Sequence, residues 1–206
     1  MSRRLAVRWG LVLATVLALA LIVTLRREQP SFDEKTAPML LHASAGERVA
    51  ARGFSVRVGK VKLAHAYLID GQQRGDPGRE VRADGVWLSA LVEVERSHTN
   101  GYVAAQLRTR DGRTYRAAPN ERPDLKGFNL TDTYLVAGLP ANGAYFFDVP
   151  ANALEGASLQ LYAGNSAPAQ LDHLVDITLG LDAAKVKALR AEATPLLDLR
   201  TPEPTE

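Results

Sequence analysis

The chain has 206 residues, and its 25 Lys and Arg nearly balance 23 Asp and Glu, giving a formal charge of +2. With no clustered basic face along the sequence, this near balance argues against nucleic acid as a partner. There is no cysteine, which excludes a disulfide framework and a thiol nucleophile, and the length suits one domain of ordinary size beside a short amino-terminal element.

The first predicted element is a helix at residues 9–25, WGLVLATVLALALIVTL, which contains no charged residue. The 21 residues from Leu5 to Leu25 are interrupted only by Arg8. At about 1.5 Å per helical residue they match a hydrocarbon core of about 30 Å. A run of Leu, Val and Ala without proline satisfies its backbone hydrogen bonds in lipid as a helix. We therefore predict a transmembrane helix at 9–25 that acts as a signal anchor.

Charges on either side of this helix favour an amino terminus inside the cell. Three arginines precede the helix, whereas Arg26 and Arg27 follow it and are partly offset by Glu28. The expected arrangement is a short cytoplasmic tail at 1–8, one span of the cell membrane, and an extracytoplasmic carboxyl-terminal domain. The alternative is a cleaved signal peptide, because Ala18-Leu19-Ala20 has the small-x-small form of a cleavage site. Cleavage near Ala20 would make the same domain a secreted protein.

The next segment, residues 26–45, carries two prolines and no clean period, and is predicted to be a linker. From Gly46 the apolar period changes to two, which is typical of strands. A slip of the apolar phase at Gly59-Lys60 predicts a β-bulge. Residues 70–85 contain four glycines and one proline, and are predicted to form the largest loop.

Short strands with turn signals between them occupy most of the remaining chain. The clearest alternates from Val86 to Val94 and is expected to lie centrally in its sheet. Asp111-Gly112 predicts a hairpin in which glycine supplies the positive φ. Further strands are predicted at 54–58, 102–110, 134–139, 143–149, 158–163 and 171–179.

This pattern predicts a mainly β fold, an antiparallel β-sandwich at residues 46–181. Only the carboxyl-terminal end departs from the strand pattern. Asp182 is expected to cap a short helix from Ala183 to Ala193, so that residues 182–206 form a short helix followed by a disordered acidic tail.

Several segments resemble a family of bacterial exported immunoglobulin-like domains of unknown function. They are Gly46 to Val49, Phe54 to Val58, Leu91 to Glu95, Leu107 to Tyr115 and Gly143 to Pro150. The resemblance covers residues 46–181, and residues 96–100 depart from the family's usual turn. It implies an immunoglobulin-like sandwich and an exported domain, often attached to a lipid or transmembrane anchor and related in fold to a secreted mycobacterial immunogenic antigen. It implies no catalytic residues.

Few residues are candidates for catalysis or for binding a metal or cofactor. Four histidines are spread singly without metal-ligand spacing, so no metal site is predicted, and no nucleotide-binding or serine-hydrolase motif is present, so no cofactor is expected. Glu93 and Glu95 lie two apart on one strand face and could pair for acid–base work, and Asp148 is a further candidate carboxylate. A solvated face with arginine neighbours is the favoured interpretation of the pair.

Trp87 and Leu91 form the candidate interaction surface, because they face away from the core that the predicted strand 86–94 buries. A large apolar pair there is covered either by another part of the chain or by a partner. We expect a non-enzymatic interaction or accessory module, anchored at the bacterial cell envelope and contacting an envelope protein. The alternative is an envelope hydrolase or carbohydrate-active enzyme that uses carboxylates such as Glu93 and Glu95.

Overall fold

The chain divides into two compact units, residues 1–37 and residues 38–206. The computed structural model describes residues 2–28, 35–71, 78–118 and 128–200, and within the first helix the side chains of residues 9 and 13–26. Helix α1 spans Ser2–Glu28, so the helix predicted at 9–25 is confirmed and extends through the predicted tail. Among the described residues, no helix combines the length and apolarity required to cross a membrane, so the transmembrane prediction is not supported.

The second unit is built from ten strands, one turn of 3-10 helix and one α-helix in the part of the chain that the structure describes. In chain order the strands are β1 (Met39–Ser44), β2 (Arg48–Ala50), β3 (Phe54–Ile69), β4 (Arg79–Arg96), β5 (Val103–Arg108), β6 (Thr114–Arg116), β7 (Ala141–Val149), β8 (Ser158–Ala163), β9 (His173–Thr178) and β10 (Leu197–Asp198). Helix α2 is Ala183–Ala191, and the 3-10 turn is Ala151–Ala153.

The strands form two five-stranded sheets. Sheet A has the order β1-β9-β8-β5-β6, and sheet B has the order β10-β3-β4-β7 with β2 also paired to β3. Two pairs, β1 with β9 and β10 with β3, are parallel, and the other pairs are antiparallel. The mainly β prediction and the two-sheet sandwich are therefore confirmed.

The main core lies between the inner faces of the two sheets. Alternate residues of β4, including Leu88 and Val92, pack there with Leu107 and Leu161 of sheet A. Successive side chains of a strand point to opposite faces, so every second residue of these strands faces the core. β4 lies between β3 and β7, which confirms the central position predicted for residues 86–94.

Two irregularities bend the long β3–β4 pair. The register shifts between Val58 and Val61, where the phase slip at Gly59-Lys60 predicted a bulge. A second shift, between Ala64 and Ala66, was not predicted. Across the pair at this point, β7 approaches so closely that a Cβ on Gly85 would lie 2.2 Å from the Val149 carbonyl oxygen. Only glycine fits there without a backbone shift.

Two predicted connections contain strands instead. Within 26–45, residues 29–34 lie outside the described residues, but Met39–Ser44 form β1 and pair with β9. Within 70–85, residues 72–77 lie outside the described residues, but β4 begins at Arg79 and pairs with the end of β3. In both segments cross-strand pairing forms a strand that no sustained apolar alternation marks in the sequence.

The strand predicted at 134–139 is wrong. Leu135 and Ala137 make only isolated bridges, to Gly101 and Arg96, because this segment crosses the end of the sandwich rather than running along a sheet. The hairpin at Asp111-Gly112 is confirmed, with Gly112 at φ 84°.

The carboxyl-terminal helix is confirmed as α2, and it begins as the sequence predicts. The Asp182 carboxylate accepts a hydrogen bond from the Lys185 backbone N–H at 2.7 Å, which satisfies one free donor of the first turn. The predicted disordered tail is corrected in part, since Leu197–Asp198 form β10; residues 201–206 lie outside the described residues.

Candidate interaction surface

Trp87 is buried, with 1 % of its surface exposed. It lies on the outer face of sheet B in a second apolar cluster, where its ring centroid is 5.7 Å from that of Tyr67. Phe146 meets Tyr67 edge to face at 5.3 Å. The indole N–H donates to the Val81 carbonyl at 3.2 Å. Trp87 is therefore covered within the folded domain, which is the first of the two alternatives given for it, and only Leu91 of the candidate pair stays accessible.

The cover over Trp87 comes from the same chain. Leu197 and Leu199 of the carboxyl-terminal segment pack against the cluster, together with Ala118. Leu197 and Leu199 lie about 110 positions along the sequence from Trp87, and their segment pairs with the neighbouring strand β3. We call the buried cluster, without its cover, the outer cluster; its floor consists of Tyr67, Trp87 and Phe146.

Leu91, the other predicted residue, lines a groove that is open to solvent on the outer face of sheet B. The groove encloses about 390 Å³, and Phe128, 41 % exposed, forms its second large apolar wall. Gly59 and Gly143 also line it, and the absence of a side chain on Gly143 lets the Phe128 carbonyl approach β7, since a Cβ there would lie 2.4 Å from that oxygen. We call this site the Leu91 groove. Its volume falls in the range of pockets that hold small molecules or single side chains.

The rim of the Leu91 groove is more basic than acidic. Arg57, Lys60 and Glu93 line it. The Glu93 carboxylate accepts from the Arg57 guanidinium at 2.6 Å and also pairs with Arg48. The hydrogen bond from Arg57, with the charge of Arg48, holds the pKa of the Glu93 carboxyl below its usual range. Two guanidinium groups thus share one carboxylate, and the described residues of the rim keep an excess of positive charge.

These contacts bear on the carboxylates considered for catalysis. Glu93 is held ionised between two cations, which opposes a role as general acid. Glu95 faces Ser55 across the β3–β4 pair, two positions along the same strand face from the pair of Glu93 with Arg57. Asp148 accepts from the backbone N–H groups of Asp84 and Gly85, at 2.9 and 3.1 Å. It fixes the irregular part of β4, where the strand departs from regular pairing.

The histidines are separate in the fold as well as in the sequence. His173 is half-buried, and its Nδ1 accepts from the Arg52 backbone N–H at 2.8 Å. His42 lies 3.9 Å from the Asp176 carboxylate on the outer face of sheet A. Among the described residues, no group of three or more His, Cys, Asp or Glu has a geometry that would hold a metal ion.

Sequence reasoning missed a second cavity, of about 520 Å³, at one end of the sandwich. The β5–β6 hairpin tip supplies Arg110, Asp111 and Tyr115, and the turn after β7 supplies Asn152 and Glu155. A hydrogen bond from the Thr109 hydroxyl lowers the pKa of the Asp111 carboxyl. Both segments were predicted as turns, but the sequence holds no signal that they meet. The cavity has mixed charge and no apolar wall comparable to that of the Leu91 groove.

No protein-family model matches the chain, and no curated protein matches it. The solved structures with some similarity include an uncharacterised β-sandwich protein from Clostridium difficile 630, with TM-score 0.41 and 8 % identity, covering 72 % of this chain and 99 % of that chain. They also include the YjhA protein from Bacillus subtilis, with TM-score 0.45 and 16 % identity over 66 % and 99 % of the two chains. The secreted protein MPT63 from Mycobacterium tuberculosis has TM-score 0.44 and 16 % identity over 68 % and 98 %.

These similarities agree in part with the predicted resemblance, since the neighbours include a β-sandwich protein and a secreted mycobacterial protein. At TM-scores below 0.5 and identities of 16 % or less, they carry no argument about activity or partners. The fold assignment rests on the chain's own two sheets.

Proposed function

We propose that this chain is a non-enzymatic binding module of the bacterial cell envelope. Helix α1 attaches it to the cell membrane, and the second unit, an immunoglobulin-like sandwich on the extracytoplasmic side, contacts an envelope protein through the Leu91 groove. The single observation that carries the binding proposal is this groove, an apolar site left open on a sheet face whose neighbouring cluster the chain itself covers.

The chemistry of the groove defines the partner. Half-buried Leu91 and exposed Phe128 offer apolar contact, and apolar side chains that a folded domain leaves accessible are typical of an interaction site. Arg57 and Lys60 on the rim favour a segment in which carboxylates flank one apolar side chain. A buried apolar anchor with a charged surround is the usual form of a protein-binding hot spot.

The side chains of α1 support the membrane proposal. In the described part of the helix, the large apolar residues from Trp9 to Leu25 are all exposed. Residues 9–25 contain no charge, and such a stretch transfers favourably from water to lipid. The flanking arginines support an amino terminus on the cytoplasmic side. Cleavage near Ala20 stays as the competing proposal.

An envelope hydrolase is less supported. Its proposed residues Glu93 and Asp148 already serve as acceptors, one for two guanidinium groups and the other for two backbone N–H groups. Among the described residues, the lining of the Leu91 groove also contains only one carboxylate, that of Glu93. Acid–base hydrolysis of a glycosidic bond requires a pair.

Site-specific photocrosslinking in intact cells tests the binding proposal. A photoreactive amino acid at position 91 is expected to give a discrete adduct whose yield falls when Lys60→Glu reverses the rim charge. The matched control is the same amino acid at Thr178, an exposed position on the other sheet. Equal adducts from positions 91 and 178, unaffected by Lys60→Glu, would contradict a specific groove.

Fractionation tests the membrane proposal separately. Full-length protein is expected to stay with membranes after alkaline extraction and to be degraded by protease added outside the cytoplasmic membrane. Amino-terminal sequencing of the membrane fraction should recover the residues before Ala20. Recovery of a chain that starts just after Ala20, in the soluble fraction, would establish secretion instead.

A further inference from the structure

We propose that two copies of this chain exchange their carboxyl-terminal segments, residues 194–200, so that β10 of each copy covers the outer cluster of the other. The proposal does not depend on the proposed function. It rests on how this segment is held, which is by few bonds over a deeply buried floor.

Backbone bonds tie the segment to the edge of β3. The His65 N–H donates to the Thr194 carbonyl at 3.0 Å, and the Thr194 N–H donates to the Leu63 carbonyl at 3.3 Å. Further along, the Leu199 N–H donates to the Leu68 carbonyl at 2.8 Å. The regular ladder between them is only two residues long. Such a short edge strand is among the least stable parts of a sheet.

Alternation along the segment decides which side chains reach the outer cluster. Leu197 and Leu199 pack on its floor, whereas Asp198 points away and pairs with Arg200 at 2.6 Å. Leu196, outside this alternation, is 44 % exposed. The two packed leucines are themselves only half-buried, while Tyr67 and Trp87 beneath them are almost fully buried. Removing the segment would therefore expose the large buried side chains of the floor to water, whereas the two leucines are already partly exposed when the segment is in place.

A second copy supplies a cover with the same chemistry. When the segment leaves, it exposes an apolar floor beside an unpaired edge of β3, and such a surface attracts another strand. The segment that fits it best is the one already observed there. Exchange needs a hinge, and the junction between Ala193 and Thr194 provides it. The Ala193 N–H is the last to bond back to α2, at the Arg190 carbonyl, and Thr194 is the first residue bonded to β3. Exchange of an identical element restores every bond in both copies.

The exchanged dimer would carry two Leu91 grooves, whereas the single chain carries one. Each copy keeps its own Leu91 groove, because none of the groove's lining residues belongs to the exchanged segment. Trp87 stays buried in both forms. Exchange therefore joins two grooves into one particle without altering either of them.

The absence of cysteine permits a direct test with full-length chains. One chain carries Leu68→Cys and the other Asp198→Cys; these two positions are ladder partners in β3 and β10. After the chains are incubated together at high concentration and oxidised mildly, exchange predicts a disulfide-linked heterodimer. The control pairs Asp198→Cys with Thr178→Cys, an exposed position on sheet A that the segment does not reach. The matched pair should exceed this control at least tenfold.

A chain carrying both Leu68→Cys and Asp198→Cys gives the second measurement. Oxidised while dilute, it closes within itself, and it should then stay monomeric by light scattering at concentrations where the reduced chain forms dimers. Near-ultraviolet circular dichroism verifies that each variant is folded. If the matched and control pairs crosslink equally, or if the locked chain dimerises as well as the reduced one, the segment stays on its own chain and the proposal fails.

Discussion

Replacing Trp87 by Ala distinguishes a packing residue from a binding residue. The side chain is 1 % exposed, contacts Tyr67, and donates its indole N–H to the Val81 carbonyl. Truncating a buried aromatic residue to Ala costs about 3–5 kcal/mol, because it removes the contacts and leaves a cavity. We expect the free energy of unfolding to fall by about 4 kcal/mol, a large share of the roughly 5–15 kcal/mol of a typical domain.

Denaturant unfolding followed by far-ultraviolet circular dichroism measures this change. Fluorescence serves poorly, since the variant keeps only Trp9 of the two tryptophans. The midpoint of thermal unfolding should fall by about 8–16 °C for a domain of this size. The matched control is Leu91→Ala on the same strand face, with an expected change below about 1 kcal/mol. A Trp87→Ala domain as stable as the Leu91→Ala domain would refute the packing argument and return Trp87 to the interaction surface.

Three further predictions concern the irregular end of sheet B and its outer cluster. Gly85→Ala should destabilise the domain by about 3 kcal/mol, because its Cβ would lie 2.2 Å from the Val149 carbonyl oxygen. Asp148→Asn should lose about 1–2 kcal/mol in denaturant unfolding, since a neutral amide replaces a carboxylate that accepts two backbone N–H groups. Burial raises the pKa of Tyr67 to about 12, partly offset by the Ser89 hydroxyl, so its stabilising effect is complete below pH 10 and is lost as the pH rises through 12. Ultraviolet titration of phenolate should show this loss as a late step that coincides with unfolding.

Each of these has an outcome that would contradict it. Gly46 has open space around a Cβ at φ 94°, so Gly46→Ala should cost only about 1 kcal/mol, and a cost equal to that of Gly85→Ala would undermine the steric argument. An Asp148→Asn domain of unchanged stability would show that the two backbone contacts contribute nothing net. Ionisation of every tyrosine near pH 10 in the folded domain would show that Tyr67 is accessible to water.

The strands that the sequence predicted are those with uninterrupted alternation. Residues 86–94 bury one face of a central strand, and that burial requires a period of two. The bulge at Gly59 was visible for the same reason, because a single extra residue shifts the apolar phase. Residues 134–139 show the limit of this signal. They also alternate, yet Val136 and Tyr134 are exposed and the segment makes only isolated bridges.

The elements that the sequence did not predict are held by partners far along the chain. Strand β1 is an edge strand in which Met39, Leu40 and Leu41 follow one another, so no alternation marks it. Strand β10 is two residues long. The position of Trp87 on the outer face was correct, but its cover comes from Leu197 and Leu199, and local pattern does not reveal a contact of that separation.

The candidate site was predictable in part. Leu91 was identified because it faces outward on the central strand, and it lines the Leu91 groove. The favoured interpretation of the glutamates as a charged face with arginine neighbours agrees with the ion pairs of Glu93 to Arg57 and Arg48. Phe128, the opposite wall, belongs to a connection without periodicity, and its approach to Leu91 depends on bonds between that connection and β7.

The parallel pairing of β1 with β9 has a mechanical consequence. β1 is the first strand of the second unit, and six registered pairs join it to β9, from Met39 with His173 to Ser44 with Thr178. Tension applied between residues 38 and 179 pulls β1 from its first residue and β9 from its last. Since the strands run in the same direction, the load shears the evenly spaced bonds together rather than opening them one after another. The β1–β9 pair therefore resists traction applied across residues 38 to 179.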